Sequence, residues 1–314
     1  MLRQAHHERN QLPTVRPELV EGLNQRIIHG IIIFILACTM SSMAWSQLSV
    51  KDDAGNIVNL KAPARRIVTL APFLTELVYA AGAGDQLAAV SSYSDFPAEA
   101  KLKPVIGDAS AIDMERLIAL KPDLVIAWKS GGHPADTGRL SKYGIAVLIV
   151  EAASLKDIPR LLRTFGQVAD TSIKAEAAAK NFEQRLLALR QRYETNPPQK
   201  VFFEIWHSPL ITISGKHFIS EAMEICHGKN IFADVKSLVP TVGLESIYAA
   251  NPQVIISSTS ARNDNVMAPW RKHAKLSAVK NKNIFALDPD LIQRQTPRLL
   301  DGVEQMCKQL QTAN

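Results

Sequence analysis

The sequence predicts an α/β fold in which two similar lobes with mainly parallel sheets are joined by one long helix, with a ligand cleft between them. The first observation is an internal repeat: ERLIALKPDLVI begins at Glu115, and ESIYAANPQVII begins at Glu245. The second is that each unit ends in a continuous apolar run, which is typical of a parallel strand covered on both faces. The third is a helical pattern over residues 172–195, which is long enough to pass from one lobe to the other.

Each repeat unit is predicted to be a short helix followed by a strand. A Glu opens the helix, where free amides and the dipole stabilise negative charge. A Pro seven residues later stops it. Two lobes that each present one acidic helix start suit a two-fold symmetric partner, as in a binding protein that delivers cargo to a transporter. The alternative is that helix–turn–strand units are common in α/β proteins and that the two Glu residues match by chance.

The predicted elements follow one another in a regular order. A β-hairpin at residues 49–60 precedes the first buried strand at 66–70, and Thr75-Glu76 is predicted to cap a helix that ends at Gly82 or Gly84. Further strands are predicted at residues 88–90, 124–126, 146–150, 200–205 and 254–256. Further helices are predicted after the segment at residues 154–157, over 172–195 and over 297–311.

These elements divide the chain into lobes. We predict an amino-terminal lobe at residues 47–168, a connecting helix at 169–197 and a carboxy-terminal lobe at 198–314. Because a packed helix resists bending, we expect small lobe movements and a largely preformed cleft.

The composition narrows the classes of function. The chain has 314 residues, of which 46% are hydrophobic and 21% charged, so it is long enough for two globular lobes. Its net charge of +6 is spread along the chain without a basic run, and nucleic-acid binding is not expected. No GxSxG, P-loop or HExxH motif occurs, so an enzyme is not expected either.

The amino terminus is predicted to be a signal peptide. The apolar segment at residues 27–37 is shorter than the roughly 20 residues that a transmembrane helix needs. We predict a secretory leader over residues 1–46, cleaved so that Gln47 becomes the first residue of the mature, exported protein. The alternatives are an uncleaved anchor and lipidation of Cys38, whose preceding residues match a lipoprotein site poorly. The leader is long, which is consistent with a start codon assigned too far upstream.

Two cysteines remain after removal of the leader. Cys226 and Cys307 lie on predicted helices, and export permits their oxidation. We predict one disulfide that closes a loop of about 80 residues and contributes roughly 4 kcal/mol on the chain-entropy model. The alternative is a pair of buried free thiols. No CxxC motif or Cys/His cluster occurs, so a structural metal is not expected.

Several longer segments resemble the periplasmic binding proteins for metal chelates. They are RIVTLAPFLTELVYAAGAGDQLAAVSSYSDFP, MERLIALKPDLVIAW, SGKHFISEAMEICHGKNIF, the Glu245 repeat and QRQTPRLLDGVEQMC. SSYSD, the two Cys positions and QRQTPR are most similar to the BtuF-like cobalamin-binding family. The resemblance covers residues 50–312. It implies two Rossmann-like lobes, a rigid connecting helix, a corrinoid in the cleft and no cofactor.

The resemblance also implies a membrane partner. In that family one Glu on each lobe docks onto Arg residues of an ABC import permease, whose ATPase supplies the energy. Glu115 and Glu245 match these two positions. The alternative is that each Glu serves only as a partner of its own helix dipole. We expect a monomer when the protein is free.

The candidate ligand residues come partly from the resemblance and partly from the strand pattern. Tyr93 matches a tyrosine that lies against the corrin, and Asp290 matches an acceptor for corrin amides, with Arg294 close by. Trp206 and His207 follow the first strand of the second lobe, where parallel sheets present their ligand crevice. For the aromatic residues the alternative is core packing, and for His207 it is a half-buried side chain with no metal role.

Two further aromatic residues are weaker candidates for the cleft. Phe73 follows the first strand and is predicted as a wall, while Trp128 ends the ALKPDLVIAW strand. The sequence also departs from the family, since its best-known member has tryptophans where Ala109 and Val239 stand here. Another corrinoid, haem or a ferric siderophore therefore remains an alternative ligand. Arg294 is the only clear cation among the matched positions, which favours an uncharged or amide-rich ligand.

Overall fold

The structure is a computed structural model. It describes residues 48–108, 110–131, 134–259 and 268–313. The predicted leader, Gln47, Cys38 and Ala109 lie outside the described residues. None of the helices in these ranges combines the length and the apolar character that a membrane span requires.

The amino-terminal lobe is built on a four-stranded parallel sheet of order β4-β3-β5-β6. An antiparallel hairpin of β1 and β2 precedes it. The strands are β1 (Leu48–Lys51), β2 (Ile57–Leu60), β3 (Ile67–Thr69), β4 (Leu87–Ala89), β5 (Leu124–Trp128) and β6 (Ala146–Val150). The helices of this lobe are α1 (Pro72–Ala80), α2 (Met114–Ala119), α3 (Pro134–Leu140) and α4 (Asp157–Ala169).

The start of α1 differs from the prediction. The helix begins at Pro72, whose ring pre-sets the first helical φ, and the extended residue Ala71 precedes it. Thr75 and Glu76 are therefore buried inside the helix, and the prediction that they cap it was wrong. The Thr75 hydroxyl instead lies 2.7 Å from the Thr69 hydroxyl. The residues that looked like a cap are used for contacts with other segments.

The long helix α5 (Ser172–Tyr193) is held by side chains on both sides. Arg163 of α4 pairs with Glu176 at 2.7 Å, and Arg185 of α5 pairs with Asp301 near the carboxyl terminus at 2.6 Å. Helices fixed along their length in this way bend little. The predicted limits of the connecting helix and of the lobes remain predictions.

The carboxy-terminal lobe repeats the plan with a parallel sheet of order β10-β9-β7-β8. Its strands are β7 (Gln199–Glu204), β8 (Gly228–Asn230), β9 (Val254–Ser258) and β10 (Ile284–Leu287). Its helices are α6 (Phe218–Ile225), α7 (Leu244–Ala250), α8 (Ser277–Lys280), α9 (Pro289–Ile292) and α10 (Leu299–Thr312). The two repeat units become α2–β5 and α7–β9. Both β5 and β9 are inner strands of their sheets, which explains their continuous apolar runs.

The predicted disulfide is present. Cys226, at the end of α6, is bonded to Cys307 of α10 with a Cα–Cα distance of 4.7 Å. Both residues are buried, so the bond ties two helices of one lobe together beneath the surface.

Removal of the disulfide should destabilise the protein. For the variant with Cys226→Ala and Cys307→Ala we expect a loss of about 2–4 kcal/mol in the free energy of unfolding, because the unfolded chain regains its loop entropy. Equilibrium unfolding in urea measures this loss. Unfolding of the wild type under a reducing agent should give a similar value. A variant as stable as the oxidised wild type would contradict the expectation.

Candidate functional site: a cleft between the lobes

Two adjoining cavities lie where the strands of the sheets end. The larger, of about 490 Å³, is lined by residues that follow β5, β6 and β7 and by the α9–α10 connection. The smaller, of about 430 Å³, is lined by residues that follow β3, β4 and β5. Trp128, the last residue of β5, lines both. Parallel α/β sheets bind ligands at this edge, so the cavities form one candidate cleft.

Trp128 is fixed in its orientation. Its indole N–H donates a hydrogen bond to Oε1 of Glu151 at 3.0 Å, and the other carboxylate oxygen accepts from the Ser130 hydroxyl. The ring packs edge to face against Phe73, with 5.5 Å between centroids. Phe73 is buried and lines neither cavity. It therefore supports the aromatic wall from behind, whereas the sequence predicted it as the wall itself.

Tyr93 stands at the mouth of the smaller cavity. It lies on the loop after β4 with φ +63°, in the left-handed region, and 78% of it is exposed. A large exposed aromatic ring beside a cavity is the kind of group that a flat ligand covers. The structure thus brings Tyr93 and Trp128 to the same cavity, and contact of Tyr93 with a ligand remains a prediction.

Five charged residues connect the two lobes beside the cleft, and we call them the inter-lobe latch: Glu76, Asp95, Asp290, Arg294 and Arg298. The Glu76 side chain, 2% exposed, accepts from Arg294 at 2.8 Å and from Arg298 at 2.8 and 3.0 Å. Arg294 also pairs with Asp95 at 2.8 Å and with Asp290 at 2.7 Å. A buried carboxylate of one lobe is thus held by two guanidinium groups of the other.

The contacts of the inter-lobe latch change the role expected for Arg294. Burial disfavours the charged forms, but the hydrogen bonds and charges outweigh it, so the pKa of Arg294 is raised and that of Asp95 lowered. Arg294 is already bonded to three carboxylates, and its side chain is only 13% exposed. It is therefore not a free cation for a ligand. Asp290 is about half exposed and can still accept a hydrogen bond with its second oxygen.

Trp206 and His207 lie outside both cavities. The Trp206 indole is largely exposed and donates to the carbonyl oxygen of Ser208 at 2.8 Å. Nδ1 of His207 is 3.0 Å from Oε1 of Glu204, which is buried and also accepts from the Trp270 indole at 2.8 Å. Burial raises the pKa of Glu204. These two residues remain predictions as ligand contacts, although the loop carrying them packs on Trp270.

The larger cavity contains polar residues that the sequence did not single out. Gln293 and Gln295 come from either side of Arg294, and His217 comes from the start of α6. Nε2 of Gln293 donates to the Ser258 hydroxyl at 2.7 Å, while Gln295 is buried. The available signal was the QRQTPR segment, in which the two Gln alternate with Arg294. Val239, one of the two departures from the family, also lines this cavity.

The two predicted docking residues occupy equivalent positions. Glu115 lies in the first turn of α2 and Glu245 in the first turn of α7, and both are exposed. The Asp113 side chain caps α2 by accepting from the Arg116 amide at 2.9 Å, and Gly243 precedes α7. In the part of the chain that the structure describes, neither Glu forms an ion pair. Both lobes thus present, at the same point of the repeat, an exposed carboxylate without an ion pair among the described residues.

No group of three or more His, Cys, Asp or Glu side chains within the described ranges could hold a metal ion. The cleft instead combines aromatic walls with amide, hydroxyl and imidazole groups. Its larger cavity has one lysine, Lys216, and one glutamate, Glu151, so its charged groups balance formally. Such a lining suits a bulky, flat and mainly neutral ligand.

Comparison with known proteins supports this description. A vitamin B12-binding protein of Vibrio cholerae is 38% identical over 252 residues, which cover 80% of this chain and 91% of that protein. The crystal structure of the periplasmic vitamin B12-binding protein BtuF of Vibrio cholerae is also similar. It has a TM-score of 0.74 and 38% identity, over 80% of this chain and 98% of that one.

More distant structures share only the fold. The periplasmic heme-binding protein RhuT from Roseiflexus sp. RS-1 has a TM-score of 0.71 at 22% identity, over 80% of this chain and 99% of that one. The model of the periplasmic binding protein family matches residues 67–291, which include the strands of both parallel sheets and the long helix. The chain therefore belongs to the periplasmic binding protein family.

Proposed function

We propose that this protein captures cobalamin in the inter-lobe cleft and delivers it to an ABC import permease. The observation that carries the proposal is the cleft itself, in which Trp128 forms a wall of two cavities and the remaining lining is mainly neutral. The 38% identity to a vitamin B12-binding protein over nearly its whole length supports the same ligand.

The chemistry of a corrinoid fits this lining. Its flat macrocycle offers a large apolar face, and aromatic rings such as Tyr93 and Trp128 cover such a face with little loss of side-chain entropy. The rim of a corrin carries neutral carboxamides. Gln293, Gln295 and Ser130 line the larger cavity and can both donate to and accept from these groups.

Haem and ferric siderophores are the alternatives. Both usually carry negative charge, which calls for unpaired cations in the cleft. Arg294 and Arg298 are bonded to Glu76, and Lys216 shares its cavity with Glu151. The similarity to heme-binding structures is at 22% identity and concerns the fold alone. The balance of charge therefore favours the neutral rim of a corrinoid.

We infer that the mature protein starts at Gln47, acts in the periplasm as a monomer and performs no chemistry itself. Its partner is a permease dimer, onto which Glu115 and Glu245 dock, and the associated ATPase supplies the energy.

The aromatic wall gives a direct prediction. Trp128→Ala and Tyr93→Ala should each weaken cyanocobalamin binding by about 1–3 kcal/mol, because each removes a large face from the cleft. Trp206→Ala serves as the matched variant, and we expect a smaller loss because Trp206 lines neither cavity. Isothermal titration calorimetry measures all three. A larger loss of affinity for Trp206→Ala than for Trp128→Ala would mean that the ligand lies against Trp206 and outside the two cavities.

Delivery is tested by uptake. The gene should restore accumulation of labelled cyanocobalamin in cells that lack their own vitamin B12-binding protein but retain a matching permease. Immunoblotting of the periplasmic fraction controls for export. If the protein is exported and binds cyanocobalamin but uptake does not return, the proposed delivery to that permease is wrong.

A further inference from the structure

His217 has an unusual combination of contacts in the larger cavity. It is the residue that precedes α6, and its half-buried ring packs on Phe218 with 4.5 Å between centroids. Nδ1 accepts a hydrogen bond from the Ile219 backbone N–H at 3.2 Å. One edge of the ring is thus turned to the helix backbone, while the residue also lines the cavity between the lobes.

This contact fixes where the imidazole carries its proton. A ring nitrogen that accepts a hydrogen bond uses its lone pair, so Nδ1 is unprotonated and the neutral ring carries its hydrogen on Nε2. Burial lowers the pKa of His217 to about 4, so the ring stays neutral at the near-neutral pH of a bacterial periplasm. Within the described residues no other group is hydrogen-bonded to the His217 ring.

We propose that His217 is a specificity-determining residue, which donates a hydrogen bond from Nε2 to a neutral carbonyl oxygen of the ligand and does not ligate the ligand's metal. The carbonyl of a corrin carboxamide is an oxygen of this class. Metal ligation through Nε2 needs the proton on Nδ1, which would break the contact with Ile219 and leave the start of α6 uncapped. The inference rests on the proposed function, since it names an acceptor on the proposed ligand.

The neighbouring groups agree with this role. Gln295 lines the same cavity and can accept from a carboxamide NH₂ group while His217 donates to its carbonyl oxygen. Lys216 and Glu151 also line the cavity, and their charges balance formally. An uncharged hydrogen-bond donor among balanced charges favours a neutral amide over a carboxylate. It also disfavours coordination of a metal centre, which would need a free lone pair on Nε2.

The test uses two variants that keep the helix cap. Ser and Asn at an N-cap position can still accept from the second backbone amide of the helix, but neither reaches the position of Nε2. We expect His217→Ser and His217→Asn to unfold at the wild-type temperature and to bind cyanocobalamin about 5- to 10-fold more weakly, the effect of one lost neutral hydrogen bond. Calorimetry measures the affinity of both variants and of the wild type.

A spectroscopic measurement on the wild type complements the variants. Nitrogen-15 NMR of the imidazole should report the proton on Nε2 in the free protein and a shift of that nitrogen when cyanocobalamin is added. A proton on Nδ1, or affinities of both variants equal to that of the wild type, would overturn the inference and leave the proposed function intact. A wild type that does not bind cyanocobalamin would overturn both.

Titration with haemin tests whether His217 ligates iron. The absorption spectrum should be the same for the wild type and for His217→Ser. Loss of an imidazole-ligated iron band in the variant would also overturn the inference.

Discussion

Replacing Glu115 and Glu245 together with Ala is expected to abolish cyanocobalamin uptake while leaving cyanocobalamin affinity unchanged. Both carboxylates are exposed in the first turn of equivalent helices and form no ion pair within the described residues. Each is therefore free to pair with an arginine of the proposed permease partner. Truncation of one partner in an interfacial charge pair typically costs about 2–5 kcal/mol, so loss of both should reduce docking by several orders of magnitude.

Uptake and binding are both measured for the double variant. Uptake of labelled cyanocobalamin reports docking, and calorimetry reports the affinity of the cleft for cyanocobalamin. A matched control is Glu194→Ala with Glu224→Ala, which changes the net charge equally at two other exposed residues. The control should transport normally, and each single docking variant should be intermediate. If the Glu115/Glu245 double variant transports at the wild-type rate, the repeated Glu serves only its own helix.

The largest effect on stability is expected at the inter-lobe latch. Glu76→Ala should lower the free energy of unfolding by about 3–5 kcal/mol, because it leaves Arg294 and Arg298 partly buried without their shared carboxylate. Loss of the contact should also widen the distribution of distances between the lobes. Urea unfolding measures the first effect, and distance measurements between spin labels on the two lobes measure the second.

Two further variants distinguish the effect of the inter-lobe latch on stability from the effect of removing any charged side chain. Arg65→Ala removes an ion pair of 3.6 Å whose side chains are 63% and 70% exposed, so it should cost less than about 1 kcal/mol. Replacing Glu76, Arg294 and Arg298 together with apolar residues should restore most of the stability, since no buried charge is then left unpaired. A Glu76→Ala variant as stable as the Arg65→Ala variant would contradict the role of the latch.

Most of the fold could be predicted because it is encoded in local patterns. The Pro that follows each repeated helix and the apolar runs after Lys121 and Asn251 predict α2–β5 and α7–β9. The even number of mature cysteines predicted the Cys226–Cys307 bond, which the structure confirms. The start of α1 was predicted wrongly, because Thr75 and Glu76 have the chemistry of a cap but are used for contacts with distant segments.

The cleft was less predictable because its walls come from loops whose direction depends on tertiary packing. Both Trp128 and Trp206 lie at the ends of predicted strands, which made them candidates for the wall of the cleft. Only Trp128 lines the cavities, whereas the loop after Trp206 turns back so that Trp206 pairs with Ile211 in an isolated bridge. Arg294 looked like a ligand-binding cation because its partner Glu76 is 218 residues away in the sequence. Partners so distant cannot be recognised from one sequence.

Calorimetric titration of residues 47–314 with cyanocobalamin tests the central claim most directly. We expect tight one-to-one binding, with weaker or no binding of haemin and a ferric hydroxamate under the same conditions. Such a result would show that Val239, where the family's best-known member has a tryptophan, is compatible with a corrinoid cleft. Binding of haemin or the siderophore in place of cyanocobalamin would contradict the proposed function and assign the cleft to a different metal chelate.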